Sequence, residues 1–528
     1  MRNYDPFEIE LATFRQILDL RALDMPDDIV FQYAERKRLE TVTCGRFYDE
    51  IDRLGAWLCE KGWRRRTIAV LGENSYPWIL SYFAVVMSDN IVVPLDKEQN
   101  AEELGKLLKR CGAEAIFCSH TYIDVAEAMQ EQGVVNTVVD MRDIPSIIEA
   151  ETGSLRAMDA EPEPDSVSTI IFTSGTTGEP KGVQLEQRAI VMDALNACRG
   201  LWVSGSSVLT LPLHHTFGFT VGVLSAYISG YPIFISKSLR SFMNDLKEFR
   251  PHNLVLVPLY VETMYKNIWR LAKEQGRDRR LRRMLKVSNG LRRVGIDVRR
   301  RMFRPVLEQF GGALEHIVCG GAFLDQDYID GLEAMGVQIL NGYGITECAP
   351  VVAVNRSNRQ KRNSVGLPLP GCEVKIIDGE ICVRGDNVMA GYFEDQEATV
   401  EAMEDGWFKT GDLGYIDEDG FLYITGRKKN LIILSNGKNI SAEELEAKLL
   451  HIENVEEVVV HGEDNVITAE IYAPDQTGVD DAVARLNREL PSYKRIQRVR
   501  YRLSEFEKTT TRKIKRYYHK NEDANTNA

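Results

Sequence analysis

Short apolar runs alternate with longer stretches of helical spacing along the first two thirds of the chain. The runs at 67–73, 91–95 and 115–118 are continuous, which is typical of strands buried on both faces of a parallel sheet. A second set with the same rhythm lies at 208–213, 233–235, 254–257 and 316–319. The pattern predicts an α/β fold whose large N-terminal region holds two similar layers of strands covered by helices.

The pattern of apolar runs changes after about residue 365. Short strands and turns at 373–384 and 420–425 predict a small β subdomain. Beyond it the chain reads as a compact α+β unit, with a helix at 441–451, strands near 456–460 and 466–472, and a helix at 478–489. We expect an N-terminal domain over 1–425, a small mobile α+β C-terminal domain over 426–519 and a disordered polar tail over 520–528.

Composition narrows the class of protein. A chain of 528 residues with 44% hydrophobic and 27% charged residues has room for more than one globular unit. Its net charge of -13 argues against nucleic acid as the main partner. Nine cysteines without a Cys-x-x-Cys pair argue against a disulfide framework or a zinc site. The absence of a secretory pattern and of a transmembrane-length apolar run predicts a cytoplasmic location, and peripheral membrane contact is left open.

The strongest chemical signal is the segment 169–182, where an apolar strand runs into a loop of glycines and hydroxyls. Glycines let backbone N–H groups converge on an anion, hydroxyls add donors, and a lysine adds a positive charge suited to a polyphosphate. The candidate binding residues are Thr173, Ser174, Gly175, Thr176, Thr177, Gly178 and Lys181. The spacing differs from the Gly-x-x-x-x-Gly-Lys-Ser/Thr of a P-loop, which argues against a P-loop kinase or GTPase.

Three further motifs follow in order: Asn-Gly-Tyr-Gly-Ile-Thr-Glu at 341–347, Gly-Trp-Phe-Lys-Thr-Gly-Asp-Leu-Gly at 406–414, and Lys-Thr-Thr-Thr-Arg-Lys-Ile-Lys-Arg at 508–516. Together with the glycine-rich loop they resemble the motifs of the adenylate-forming (AMP-binding) superfamily. The resemblance covers about residues 40 to 516 and is greatest to the long- and medium-chain acyl-CoA synthetase branch. It implies an enzyme of lipid metabolism, an AMP-forming acid–thiol ligase that uses ATP, Mg²⁺ and CoA.

The resemblance also implies roles for single residues. Tyr343 would stack on adenine, and Asp412 and Arg427 would bind the ribose. Thr346 would contact the α-phosphate and Glu347 would bind magnesium. The remaining nucleotide-binding candidates are mostly residues with small side chains, which leave the backbone accessible: Gly320, Gly321, Ala322, Asn341, Gly342 and Gly344.

Four other positions complete the candidate machinery by resemblance. His215 would line the carboxylate side of the acyl pocket, Lys429 would be the hinge, and Gly437 would leave room for pantetheine. Lys513 aligns with the catalytic lysine. The C-terminal motif departs from the family at two positions, because Glu507 replaces a proline and Arg512 replaces the glycine before the lysine.

The implied reaction is activation of a carboxylic acid, with a fatty acid favoured, to an acyl-AMP and its transfer to the thiol of CoA. Two alternatives remain: an acyl-AMP ligase that loads an acyl carrier protein, and a catalytically inactive ATP-binding regulator. The regulator ranks low because Glu347, Asp412 and Lys513 are all present. The segment 211–226 has no acidic residue to hold an α-amino group, which argues against amino-acid activation.

Eleven arginines lie between Arg277 and Arg304. The simplest interpretation is the solvated face of two helices. The alternative is a docking patch for CoA phosphates, an acidic carrier protein or anionic lipid.

Overall fold

The computed structural model describes residues 8–35, 38–158, 162–173, 180–201, 203, 205–236, 238, 241–433, 438–463, 465–508 and 514–516. The predicted sites at Ser174, Gly175, Thr176, Thr177, Gly178, Gly437 and Lys513, and the predicted tail over 520–528, lie outside these residues.

The strands fall into several sheets. In the first part of the chain they are β1 (Ile29–Glu35), β2 (Arg38–Thr43), β3 (Thr67–Leu71), β4 (Ile91–Leu95), β5 (Ala115–Cys118), β6 (Thr137–Asp140), β7 (Val167–Thr173) and β8 (Lys181–Glu186). Next come β9 (Ser207–Leu209), β10 (Ile233–Ile235), β11 (Asn253–Leu256), β12 (His316–Cys319), β13 (Gln338–Gly344), β14 (Val351–Val354) and β15 (Leu367–Pro368). The last are β16 (Cys372–Ile377), β17 (Glu380–Gly385), β18 (Gly391–Tyr392), β19 (Met403–Glu404), β20 (Trp407–Ile416), β21 (Leu422–Arg427), β22 (Leu431–Ile433), β23 (Asn439–Ser441), β24 (Glu457–Glu463), β25 (Val466–Tyr472) and β26 (Arg498–Arg502).

Helices connect and cover these strands. The first are α1 (Phe14–Ala22), α2 (Cys44–Glu60), α3 (Tyr76–Met87), α4 (Ala101–Arg110), α5 (Ile123–Glu131), α6 (Ile144–Ala150), α7 (Gln187–Leu201), α8 (Ala226–Ser229) and α9 (Phe242–Phe249). They are followed by α10 (Pro258–Glu274), α11 (Asp278–Arg293), α12 (Arg299–Met302), α13 (Arg304–Leu307), α14 (Gln326–Glu333), α15 (Gln396–Ala402), α16 (Ala442–Leu449) and α17 (Val479–Glu489). A π-helix, Phe217–Ser225, precedes α8.

Two mixed sheets form the large N-terminal region, as the apolar runs predict. One has the strand order β18-β8-β7-β4-β3-β5-β6 and the other β15-β14-β13-β12-β11-β9-β10-β1-β2. The middle strands of both sheets are parallel. The first sheet becomes antiparallel where β7 pairs with β8, and the second where β13 pairs with β14. The predicted α/β class is confirmed. Each sheet changes strand direction next to one of the candidate motifs.

The helix α3 and the strand β4 show how the sequence directs this local structure. The Ser75 side chain accepts a hydrogen bond from the Trp78 N–H and caps the helix, and Pro77 occupies its first turn. At the other end Asp89 adopts a φ of 59°, and the Asn90 side chain donates to the Trp63 carbonyl at 2.8 Å. The apolar stretch from Trp78 to Leu95 is therefore a buried helix, a turn and a strand.

One predicted strand was too long. The run 208–213 forms a strand only to Leu209. Beyond it, the Asn74 side chain donates to the Leu211 carbonyl at 2.8 Å and accepts from the Leu213 N–H at 3.1 Å. Because these backbone groups bond to a side chain instead of a neighbouring strand, the segment leaves the sheet and leads into the π-helix.

The C-terminal third has different architecture. Strands β16, β17, β19, β20 and β21 form an antiparallel sheet, which agrees with the predicted β subdomain. Further on, β24, β25 and β26 form a sheet that packs with α16 and α17 around a separate apolar cluster spanning Ile432 to Ile496. All nine cysteines are free thiols, as expected. Within the described ranges, no helix combines the length and apolarity needed to cross a bilayer.

Candidate functional site

The ends of β7 and β8 hold the two flanks of the glycine-rich loop. Thr173 pairs with Lys181 across this antiparallel ladder, and the Thr173 hydroxyl donates to the Lys181 carbonyl at 3.4 Å. Strand β18 extends the same sheet by pairing with β8. As a result the Lys181 ammonium lies 4.7 Å from the centre of the Tyr392 ring.

Glu347 reaches the same tyrosine from the other sheet. It lies in a short 3₁₀ turn, Thr346–Cys348, directly after β13. The Tyr392 hydroxyl donates to Glu347 Oε1 at 3.0 Å, and the Met389 N–H donates to the Glu347 carbonyl at 2.8 Å. Burial and the adjacent Glu347 charge raise the pKa of Tyr392 above its usual value. Lys181, Glu347 and Tyr392 form one group, which we call the Glu347 cluster.

A second group surrounds Asp412, whose side chain is only 3% exposed. The Tyr343 hydroxyl donates to Asp412 Oδ2 at 2.7 Å, and Arg427 Nε donates to Oδ1 at 2.7 Å. The pairing of β20 with β21 sets Asp412 opposite Arg427. We call Tyr343, Asp412 and Arg427 the Asp412 cluster. It holds a carboxylate in a fixed orientation, and each oxygen keeps acceptor capacity for a ligand.

The electrostatics of the Asp412 cluster follow from its burial. Burial and then the Asp412 charge raise the pKa of Tyr343 well above its usual value, so its hydroxyl stays a donor. Burial lowers the pKa of Arg427, but the Asp412 and Tyr343 charges outweigh it, and the net shift is upward. The cluster therefore contains a compensated ion pair.

Glycines bring two backbone segments close together beside Tyr343. A Cβ at Gly344 would lie 2.2 Å from the Pro350 carbonyl oxygen, so no larger residue fits there. A Cβ at Gly320 would approach the Phe217 ring to 3.3 Å. Gly321 and Ala322 follow as exposed residues. Asn341 is buried, and its carbonyl accepts from the Asn355 N–H at 2.9 Å, which ties β13 to β14.

An apolar cavity opens between these glycines and the π-helix. Its empty volume, counted out to its open mouth, is ≈ 440 Å³. Its walls include Phe217, Val221, Gly320, Tyr343, Gly344 and Val351. A second cavity shares Leu201, Val221 and Val318 with the first and continues toward Ser229, Tyr231 and Asn253. The small residues at Gly218 and Gly222 let the π-helix approach Pro212 and Leu209.

His215 lies in the segment that Asn74 holds before the π-helix. Its ring centre is 4.2 Å from that of His214. His214 is the buried member of the pair, 3.6 Å from Asp96, and burial together with Lys97 lowers its pKa to about 3. His215 is half-buried and its carbonyl accepts from the Phe219 N–H at 3.1 Å. His214 is therefore a neutral, buried histidine with a structural role, and it is distinct from His215, the predicted site residue.

The predicted hinge, Lys429, lies in a 3₁₀ turn directly after β21. Partial desolvation and the neighbouring Arg427 charge lower its pKa, while Asp412 and Glu347 act in the opposite direction. Both clusters are thus within electrostatic range of this turn.

Near the C-terminus, Lys508 forms an isolated antiparallel β-bridge with Ile514. Lys508 itself pairs with Glu457 and, at 2.7 Å, with Glu505. These ion pairs hold Lys508 against the C-terminal sheet, and the predicted catalytic lysine, Lys513, lies outside the described residues.

Sequence reasoning missed two residues. Tyr392 lies in a two-residue strand with no recognisable motif, and only the pairing of β18 with β8 reveals its position. Asp193 is fully buried on α7 and accepts from the Val351 N–H at 3.2 Å, just beyond the turn that carries Glu347. Its signal is visible in the sequence, because a carboxyl lies among apolar residues on the inner face of a helix.

Comparisons with known proteins agree with this geometry. The AMP-binding enzyme family model matches residues 18–393. The long-chain-fatty-acid–CoA ligase FadD15 of Mycobacterium bovis is 30% identical over 477 residues, which cover 83% of this chain and 78% of that protein. Long-chain-fatty-acid–CoA ligase 1 of Cavia porcellus is 26% identical over 511 residues, covering 87% of this chain and 72% of the relative.

Among solved structures, the O-succinylbenzoate coenzyme A synthetase of Bacillus subtilis, in complex with AMP, has a similar fold. Its TM-score is 0.77 at 23% identity, over 96% of this chain and 98% of that one. The family match and the extent of the FadD15 similarity lead to one conclusion: the chain belongs to the AMP-binding enzyme family.

Proposed function

We propose that the protein joins a carboxylic acid of the fatty-acid class to CoA, consuming ATP with Mg²⁺ and releasing AMP and pyrophosphate. The observation that carries this proposal is the position of Tyr343, which belongs to the Asp412 cluster and also lines the apolar cavity. A nucleotide held by the cluster would therefore meet an apolar chain held by the cavity. The relatives named as long-chain-fatty-acid–CoA ligases support the same substrate class.

The Asp412 cluster suits the nucleoside part of ATP. Each carboxylate oxygen of Asp412 already accepts one hydrogen bond and can accept another from a ribose hydroxyl. The Tyr343 ring is anchored by its own hydroxyl, so it presents a fixed face to adenine. Arg427 would reinforce the ribose contact.

The Glu347 cluster suits the phosphates. A carboxylate and a triphosphate repel each other by an energy on the order of several kcal/mol at an effective dielectric constant of about 20. Lys181, Lys513 and the backbone N–H groups of the glycine-rich loop would offset that repulsion. Glu347 offers the hard oxygen ligand that Mg²⁺ prefers, and the bound ion would neutralise phosphate charge.

The chemical steps follow from the roles proposed for these residues. A carboxylate oxygen of the acid attacks the α-phosphorus, the bond to pyrophosphate breaks, and Lys513 and Thr346 stabilise the charge that develops. The CoA thiol then loses its proton to solvent and attacks the acyl carbonyl, the bond from that carbon to the phosphate oxygen breaks, and AMP leaves. We propose that the C-terminal unit, with its separate apolar cluster, rotates about Lys429 between the two steps and brings Gly437 to the thiol path.

The apolar cavities support a fatty acid over an amino acid. Their lining, within the part of the chain that the structure describes, contains no acidic residue to pair with an ammonium group. An uncompensated buried charge costs several kcal/mol, so an amino acid would bind poorly there.

The decisive experiment measures AMP release over a panel of straight-chain acids, with CoA, with an acyl carrier protein, or with neither. We expect release that depends on CoA and increases with chain apolarity. A strict requirement for the carrier protein would instead identify a carrier-loading ligase, and no AMP release with any acid would identify a non-catalytic ATP-binding protein.

The role of Lys513 is tested in the same system. Replacing Lys513 with alanine should abolish pyrophosphate exchange while thiolation of a supplied acyl-adenylate survives. The matched control is Lys515→Ala, because Lys515 is an exposed lysine of the same motif. Equal losses in both variants, or exchange that survives in Lys513→Ala, would contradict the assignment.

A further inference from the structure

The arginine-rich segment is the motif that the proposed reaction does not use. Residues 277–304 contain eleven arginines and one lysine against two aspartates, although the chain as a whole has a net charge of -13. In the structure this segment forms α11, α12 and α13 on the surface of the N-terminal region. The charge asymmetry marks this surface as different from the rest of the protein.

Helix α11 turns one face inward. Leu281 and Ser288 are buried, and Met284 and Leu285 pack against the apolar cluster beneath them. With sixteen residues the helix is about 24 Å long. Its orientation is therefore fixed by packing, and the opposite face points to solvent.

The α11 outer face combines charge with exposed aliphatic side chains. At 100° per residue, one sector of the helix holds Arg279, Arg283, Lys286, Val287 and Arg293, and Val294 follows as the C-cap residue. Val287 is 49% exposed and Val294 71% exposed. Ile296, in the loop that follows, is 50% exposed. Aliphatic groups thus protrude among the cations.

The cations of this face are not neutralised locally. The ion pairs of the segment join Arg299 to Asp297 and Arg304 to Glu308, both outside α11. For Arg279, Arg283, Lys286 and Arg293, no carboxylate of the described residues lies within 4.0 Å. Gly290, between Val287 and Val294, faces open space. The face is left complementary to an external anionic surface.

We propose that the α11 outer face docks the protein on the surface of an anionic lipid bilayer. Cations attract the headgroups, and Val287, Val294 and Ile296 enter the boundary between headgroups and acyl chains. A nucleic acid or a free phosphate offers no apolar phase for these aliphatic side chains. A bilayer provides both the charge and the apolar boundary that this face matches.

The test is co-sedimentation of the full chain with vesicles of phosphatidylcholine containing 30 mol% phosphatidylglycerol, compared with pure phosphatidylcholine, at about 0.05 and 0.2 M salt. The test variant combines Arg279→Gln, Arg283→Gln, Lys286→Gln and Arg293→Gln, which keep helix propensity. We expect its partition coefficient on anionic vesicles to fall about tenfold or more. The combination Val287→Gln and Val294→Gln should lower partitioning about threefold with all charges kept.

The matched control removes the same charge from another surface. It combines Lys448→Gln, Arg485→Gln, Arg488→Gln and Arg495→Gln, four exposed cations of the C-terminal unit, and should bind vesicles like the unmodified chain. Circular dichroism verifies folding in every variant. Because co-sedimentation measures binding to vesicles and not catalysis, its result is independent of the ligase activity.

Three outcomes would overturn the proposal. They are equal binding to neutral and anionic vesicles, equal losses in the test and control variants, and binding of the unmodified chain to an acidic carrier protein but not to vesicles.

Discussion

The two clusters of the candidate site differ in how their charges are compensated. Asp412 is buried, and its partners Arg427 and Tyr343 hold both of its oxygens at 2.7 Å. Glu347 is only half-buried, and among the described residues its side chain accepts one hydrogen bond, from the Tyr392 hydroxyl at 3.0 Å. The Lys181 ammonium lies over the ring of that same tyrosine and forms no ion pair with Glu347 within the described residues.

We propose that this contrast reflects two ways of preparing a binding site. The Asp412 cluster is held together by its own hydrogen bonds, so nucleoside binding would require little reorganisation there. The Glu347 cluster keeps a carboxylate and an ammonium available, and we infer that magnesium and phosphate complete it. Nucleoside affinity should therefore depend on Asp412, and metal dependence on Glu347.

The largest effect is expected from Asp412→Asn. This change removes the charge opposite Arg427 and weakens the acceptors for the ribose, and hydrogen bonds to charged groups contribute about 1.5–3 kcal/mol each. We expect the KM for ATP to rise about a hundredfold with a smaller change in kcat. Glu373→Gln is the matched control, because Glu373 pairs with Arg384 on the surface of the same subdomain. An unchanged KM for ATP would contradict the proposal that nucleoside affinity depends on the Asp412 cluster.

A somewhat smaller effect is expected from Glu347→Gln. The amide keeps the acceptor for Tyr392 but loses the charge that favours magnesium. The Mg²⁺ concentration for half-maximal AMP release should rise about ten- to hundredfold, while metal-free binding of AMP, measured by calorimetry, should stay constant. Glu394→Gln, an exposed neighbour of Tyr392, serves as the control. Loss of AMP binding in Glu347→Gln would show that Glu347 also contributes to nucleoside binding.

The Tyr392 substitutions separate the two contacts of one ring. Tyr392→Phe keeps the ring beside Lys181 and removes the hydroxyl that Glu347 accepts from. We expect a rise of about fivefold in the magnesium requirement. Tyr392→Leu removes both contacts and should also weaken pyrophosphate binding. Tyr415→Phe, at an exposed tyrosine, is the control, and equal effects of Phe and Leu at 392 would exclude a separate role for the ring.

The smallest effect is expected at Asp193, which accepts a hydrogen bond from the Val351 N–H just after the turn that carries Glu347. Burial raises the pKa of Asp193 well above its usual value, so the folded state retains a proton that the unfolded chain loses. This contribution to stability is therefore complete below the unfolded pKa of about 3.9 and declines as pH rises toward the folded value. Asp193→Asn should flatten the fall in melting temperature between pH 5 and pH 8.

Asp165→Asn, at an exposed carboxyl paired with Arg188, is the control for this pH series. A melting temperature of Asp193→Asn that depends on pH as steeply as that of the unmodified chain would show that Asp193 does not keep its proton.

Local pattern was sufficient for most of the fold. Continuous apolar runs marked the parallel strands at 91–95 and 115–118 because a strand covered on both faces must be apolar throughout. The failure at 208–213 has a specific cause. Apolarity continues to Leu213, but backbone bonding passes to the Asn74 side chain, which lies more than a hundred positions away.

The sequence by itself determined the class of fold, the order of the motifs and the residue types available for nucleotide chemistry. Only the tertiary structure decided which of these residues meet. Tyr343 contacts Asp412 across 69 positions and Tyr392 contacts Glu347 across 45. Periodicity records whether each residue faces the core, whereas these contacts depend on the order of strands in separate sheets. That order is fixed by packing of the whole region, so a local pattern does not contain it.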